Sequence, residues 1–163
     1  MKTILVALCF FFATGFTMEA GAQEKAVFDK SAFYKSMASG LSKAVEVELN
    51  SLSTLEFPDK DAYVGTLTMK KASFGGSPGK KLNLFKAGHK QLEAAINREK
   101  DNAEFRFLRL MIQENAPGVL GYKTDIKSDS DFVRKSYKDL DKPVQDAIAA
   151  YSKKSKVLKP EDF

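Results

Sequence analysis

The chain has 163 residues, 26 Lys and Arg against 21 Asp and Glu, a formal charge of +5 and a single cysteine. So mild a positive excess suits solubility and weak attraction to anionic surfaces, and it is not the signature of a nucleic-acid binder. The length is that of one domain, and a lone cysteine leaves packing rather than disulfides to hold the fold.

The first residues, MKTILVALCFFFATGFTMEAGAQ, combine Lys2, an apolar stretch from Ile4 to Phe16 and the small-x-small ending Ala20-Gly21-Ala22. This is the layout of a secretory signal peptide cut before Gln23. The stretch is shorter than the about 20 apolar residues that a membrane span requires. Residues 1–22 are therefore expected to be a signal peptide and 23–163 a single all-α domain, exported to the periplasm or outside the cell. Cys9 follows Leu8 in the middle of the apolar stretch, not where lipoprotein processing needs it, and is expected to leave with the signal.

Downstream, Asp29 can cap a short helix carrying Phe33 and Met37 one turn apart, with Gly40 as its stop. Leu41, Val45, Leu49 and Leu52 then repeat at helical spacing until Pro58 and Asp59 break the chain. In 61–74, DAYVGTLTMKKASF, alternation of Tyr63, Gly65, Leu67 and Met69 with polar residues imitates a strand. No second strand is available to pair with it, so the segment is expected to be helical.

The loop at Gly75, Gly76, Ser77, Pro78 and Gly79 leads into a long helix, with Ser77 as N-cap and Pro78 in its first turn, running to about Glu99. Its apolar face includes Leu84, Phe85, Gly88, Leu92, Ala95 and Ile96, and Gly88 and Ala95 invite close approach of a neighbour. The next helix restarts at Asp101 or Asn102 and stops at Pro117-Gly118. Ser128 and Asp131 resemble a capping box ahead of Phe132, Val133 and Tyr137. Pro143 opens a last helix striped with Val144, Ala147, Ile148 and Tyr151. The expected architecture is all-α, six or seven helices packed as antiparallel helical hairpins.

The most unusual run is FRFLRLMIQENAPGVLGY, 105–122. On a helical wheel of about 100° per residue, Phe105, Leu108, Ile112 and Ala116 take one side and Phe107, Leu110 and Met111 the other. Only Arg106, Arg109 and Gln113 share a contiguous polar stripe. A helix so apolar is normally buried, and a buried guanidinium demands carboxylates or carbonyls around it. Either Arg106 and Arg109 pair with Glu93, Glu104 or similar groups and set helix register, or the stripe lines a groove that accepts a carboxylate, a phosphate or an acidic partner. Glu114 and Asn115, on otherwise apolar parts of the wheel, either hold the APGVLGY turn through its amides or join a polar pocket with Tyr122.

Several stretches imitate chemistry and fail. GGSPGKK lacks the first glycine of a phosphate loop, which is Phe74 here, carries Lys81 where a hydroxyl belongs, and follows no strand. The run Asp125, Asp129, Asp131 lacks the bend glycine of a calcium loop and has Val133 at a ligand position. His89, the only histidine, has Glu93 one turn later but neither a second histidine nor a nearby cysteine with which to hold a metal. No cofactor or metal is implied. Lys153, Lys154, Lys156 and Lys159 cluster near the C-terminus, where a helix dipole favours cations and a weak polyanion-binding patch is conceivable.

GHKQLEAAINREKDNAEF, 88–105, resembles the second helix and inter-repeat turn of a tetratricopeptide repeat, with Gly88, Leu92 and Ala95 at its small, large, small spacing. LFKAGHKQLEAAI, EFRFLRLMIQENAP and YSKKSKVLKPEDF are similar to short exported proteins of Bacteroidota that have no assigned activity. The first resemblance implies a helical-hairpin array, the second a bacterial envelope or secreted setting. Neither implies catalytic residues. The expectation is a non-enzymatic binding or scaffolding protein with another envelope protein as its partner. The competing class is a small-ligand binder or enzyme that gathers Arg106, Arg109, Gln113, Glu114, Asn115, Tyr122 and His89 around a pocket.

Overall fold

The computed structural model describes residues 27–163; the expected signal peptide at 1–22 lies outside the described residues. Seven α-helices follow in order: α1 Lys30–Ala38, α2 Ser42–Ser53, α3 Lys60–Lys71, α4 Pro78–Arg98, α5 Ala103–Asn115, α6 Ile126–Ser136 and α7 Lys142–Ser152. Short 3-10 turns occupy Gly118–Leu120, Tyr137–Asp139 and Pro160–Asp162, and the described residues contain no strand. None of these helices is long and apolar enough to cross a membrane.

Local chemistry accounts for most of the boundaries. The Asp29 carboxylate accepts the N–H groups of Ser31 and Ala32 at the start of α1. The Ser77 hydroxyl accepts from Lys80 at α4, Asn102 from Phe105 at α5, and Asp141 from Val144 at α7. Each satisfies one of the amides that a helix start leaves without an intrahelical partner. The start of α6 differs from the expected capping box: Asp125 is its N-cap, and Ser128 already lies within the first turn, its hydroxyl donating to the Asp125 carbonyl. Asp131 instead pairs with Lys127 and Arg134. The earlier start turns Asp129 and Val133 inward, where both are completely buried.

The strand-like alternation of 61–74 is helical. In α3, Tyr63, Gly65, Leu67 and Met69 are all buried because the helix is enclosed on several sides rather than on one. Its principal neighbour is α4, against which it packs most extensively. The contact is backbone to backbone: a Cβ on Gly65 would stand 2.7 Å from the Gly88 carbonyl oxygen, and one on Gly88 would stand 2.8 Å from Met69 Cγ. Two glycines one above the other let the helices approach closer than side chains permit.

The core runs through all seven helices, with Phe33, Leu52, Leu67, Leu92, Phe105, Phe107 and Ile148 fully buried. One end is sealed by aromatic rings: Phe28 stacks on Phe57 at 4.4 Å between centroids and meets Tyr63 at 4.5 Å. The centre is α5, in which eleven of thirteen residues are buried. The pair α3–α4 lies to one side of it and α1 packs against α7 on the other.

Candidate functional site

A helix buried all round must dispose of its polar side chains internally, and α5 does so in three directions. Residues 104, 109 and 114 are five apart, which turns each successive side chain about 140° around the axis. At the N-terminal end Glu104 accepts from Lys30 Nζ at 2.6 Å and from the Tyr34 hydroxyl at 2.9 Å, tying α5 to α1. Lys30 also reaches Asp141 at 2.7 Å, which brings in α7. Glu104 was expected to face the arginines; it lies on another side of the helix and neutralises a lysine instead. At the C-terminal end Glu114 accepts from the Ser155 hydroxyl and the Lys156 amide, both at 2.7 Å. It therefore holds the turn after α7, not the APGVLGY turn that follows it in sequence.

Between them lies the polar seam. Arg109 donates from Nε to Asp129 Oδ2 at 2.7 Å, from Nη2 to Asp129 Oδ1 at 2.8 Å and from Nη1 to Glu93 Oε2 at 3.0 Å. The two-pronged grip on one carboxylate is the strong form of this interaction. Burial alone would lower the Arg109 pKa, but the hydrogen bonds to Asp129 and the charges of Asp129, Glu93 and Asp125 raise it. Arg106 donates to Asp129 at 3.2 Å and to the Lys100 carbonyl, and its guanidinium lies 4.5 Å from the centre of the Phe132 ring. Gln113 Nε2 donates to Asp125 at 3.2 Å, while its buried Oε1 has no protein donor. Two arginines thus face three carboxylates, one of which, Glu93, also accepts from the Tyr122 hydroxyl at 2.5 Å. Burial, and then that same carboxylate, push the Tyr122 phenol far above its usual range. With its cations already outnumbered by internal anions, the seam offers no charge to an incoming carboxylate or phosphate.

The other residues singled out from the sequence lie at the margins of this network. His89 meets the Tyr122 ring edge-on at 4.6 Å and stacks with Phe85 at 6.3 Å, in a recess of 210 Å³ that includes Gly121. Asn115 donates to the Met111 carbonyl and to the Tyr151 hydroxyl. Arg106, Arg109, Gln113, Glu114, Asn115, Tyr122 and His89 do not converge on one pocket. Among the described residues no group of three or more His, Cys, Asp or Glu side chains is placed to hold a metal ion.

A large concavity lies elsewhere. A groove of 1190 Å³ runs between the α3–α4 pair and the α1–α7 pair, floored by the C-terminal end of α5. Met37 of α1, Met69 of α3 and Met111 of α5 line it, and these are all the methionines beyond residue 22. Space is left because the facing positions are small: Ala38, Ala72, Ala116, Ala147 and Ala150. Exposed Leu82 and Val119 stand at the edges of the same groove. Lys35, Lys70, Lys81 and Lys154 also border it, and its one acid, Asp146, is held by Lys142. Leu82, Phe85 and Leu120 are shared with the recess at His89, so the two spaces adjoin. Of the candidate pocket residues Arg106, Arg109, Gln113, Glu114, Asn115, Tyr122 and His89, only Asn115 lines the groove, and of the C-terminal lysine cluster only Lys154.

Reading the sequence alone misses the groove because no motif marks it. Its walls come from five separated segments, and the one readable sign, three methionines on three helices, is indistinguishable from ordinary core filling before the helices are assembled. No family model, no curated protein and no solved structure matches this chain.

Proposed function

We propose that the protein is an exported, non-catalytic binding protein whose groove takes an apolar small molecule. The observation that carries the reading is the groove itself: its 1190 Å³ lies a little above the about 300–1,000 Å³ usual for ligand pockets, and its floor is built from methionine, alanine and aromatic surface. Methionine is unbranched and polarizable, and suits a wall that must fit a flexible apolar guest. The signal-peptide layout of residues 1–22 supports export, and the resemblance of LFKAGHKQLEAAI, EFRFLRLMIQENAP and YSKKSKVLKPEDF to exported Bacteroidota proteins supports an envelope or secreted setting. The lining chemistry supports a non-catalytic role. The Tyr34 hydroxyl is committed to Glu104, that of Tyr151 accepts from Asn115, and Asp146 is bound to Lys142. None is poised as a nucleophile with its base.

The test is recovery of the protein from cells expressing the full chain with its own leader, followed by native mass spectrometry and solvent extraction. A mass in excess of the polypeptide, removed by solvent and lost in Ala150→Trp, is the expected result. A polypeptide that neither carries nor accepts any apolar molecule, with the variant indistinguishable from wild type, refutes the reading. The pairing of both seam arginines supports a second role for the polar network, that of setting helix register, with no ligand of its own.

A further inference from the structure

The groove is apolar on its floor and cationic at its edges, and that asymmetry specifies its guest further. Lys70 sits in the last turn of α3 and Lys154 follows the end of α7; both line the groove, and neither has a carboxylate partner among the described residues. Each leans over an aromatic ring close by in sequence, Lys70 at 5.8 Å from the Phe74 centroid and Lys154 at 5.4 Å from that of Tyr151. Helix C-termini repel anions through their exposed carbonyls, so two lysines placed there reverse the local sign. Burial, and then the like charge of Lys154, hold the Lys70 ammonium below its ordinary pKa. A bound anion relieves that repulsion.

The shape of the floor selects among apolar guests. Met37, Met69, Met111, Ile112 and Tyr151 are each between 3% and 8% exposed. Together they offer little apolar area. An amphipathic helix, about 10–12 Å across, needs a wide exposed apolar face on which to lie, whereas a single hydrocarbon chain is satisfied by less.

Resting on the reading that the groove binds an apolar molecule, we infer that its guest is a single-chain amphiphile with an anionic head. The chain lies along Met37, Met69 and Met111, and the head is held between Lys70 and Lys154.

The experiment is equilibrium binding of hexadecanoate, hexadecanol and hexadecyltrimethylammonium, each below its micelle concentration, to the solvent-stripped full-length product. Hexadecanoate is expected to bind at least about tenfold tighter than hexadecanol, as two ammonium hydrogen bonds to a charged head imply. Raising the salt should shrink that preference and leave hexadecanol unmoved. Lys70→Gln and Lys154→Gln should each reduce the preference while keeping hexadecanol affinity, which also shows that the variants are folded. Equal binding of hexadecanoate and hexadecanol, or tightest binding of the trimethylammonium, overturns the anionic head and leaves the apolar groove standing. Failure of all three to bind, with Ala150→Trp no different, overturns both. Tighter binding of an amphipathic acidic helical peptide than of any of the three overturns the single-chain assignment alone.

Discussion

Replacing Asp129 with alanine tests whether the seam holds the helices together. Asp129 is completely buried and accepts three bonds: two from Arg109, at 2.7 and 2.8 Å, and one from Arg106 at 3.2 Å. Removing it leaves Arg109 with Glu93 and, at 3.8 Å, Asp125. Arg106 keeps the Lys100 carbonyl and the Phe132 ring. Breaking a buried pair by deleting one partner costs about 3–5 kcal/mol, because the other charge stays behind. The remaining carboxylates around Arg109 place the expected loss near the lower end, about 3 kcal/mol. Out of a total stability of about 5–15 kcal/mol, that is a large share. In urea, with a slope of about 1–3 kcal/mol per M, the midpoint should fall by roughly 1–3 M. Asp131→Ala, which removes an exposed carboxylate on the same helix paired with Lys127 and Arg134, should leave the midpoint where it was. Arg109→Met with Asp129→Leu removes both charges and should recover most of the loss. A midpoint for Asp129→Ala within roughly 0.5 M of wild type would show that the seam contributes no more than a surface pair.

Gly88→Ala should destabilise by about 1–3 kcal/mol in the same assay, since the new Cβ meets backbone of α3 and the two helices must part; an unchanged midpoint would show that they are not in backbone contact. Asp59 precedes α3 with a φ of 63°, so Asp59→Gly should stabilise by about 0.5–1 kcal/mol through relief of a left-handed residue, with no gain or a loss as the contrary result. Partial burial alone would raise the Asp125 carboxyl, but hydrogen bonds from Thr124 and Gln113 and the charge of Arg109 hold it below its ordinary value of 3.8. A depressed folded pKa contributes stability that is fully present above the unfolded value and drains away as the pH falls through the folded one. Unfolding free energy should therefore decline below about pH 4, and less steeply in Asp125→Asn; parallel curves would contradict this.

How much of this was legible beforehand follows from what each feature depends on. Helix starts at Asp29, Ser77 and Asn102 are local chemistry, visible in a few residues, and so were readable. The choice between Asp125 and Ser128 was not, because both suit an N-cap and the decision belongs to Asp129, whose burial against α5 no local pattern shows. The arginine stripe was visible as a stripe, yet its partners are tertiary: Glu93 was named, while Asp129 looked like part of a failed calcium loop. The Gly65–Gly88 contact was half legible, since Gly88 stood out on its helical face and Gly65 was hidden in a strand-like alternation. Sequence proximity suggests Glu104 as a partner of the arginines and Glu114 as a support for the APGVLGY turn or a member of a pocket with Tyr122; the about 140° turn between residues five apart sends Glu104 to α1 and Glu114 to the turn after α7.

The same geometry explains why the most conspicuous residues are not at the groove. A charge on a buried helix must be matched inside, and Arg109 and Glu104 are matched by side chains fixed on α1, α4 and α6. Matching consumes the charge of the seam internally. The rim lysines Lys35, Lys70, Lys81 and Lys154 stand near the ends of helices, Lys35 and Lys154 exposed and Lys70 and Lys81 half-buried, and none forms an ion pair with a carboxylate among the described residues. Their charge stays available. Rigidity and availability are therefore divided between two places: the pinned helix α5 supplies an immobile floor through Met111 and Ile112, and the unpaired lysines supply the field above it. The proposed site carries its chemistry in residues that look ordinary in sequence, lysines and alanines near helix ends. The unusual run at 105–122 provides the surface on which they act.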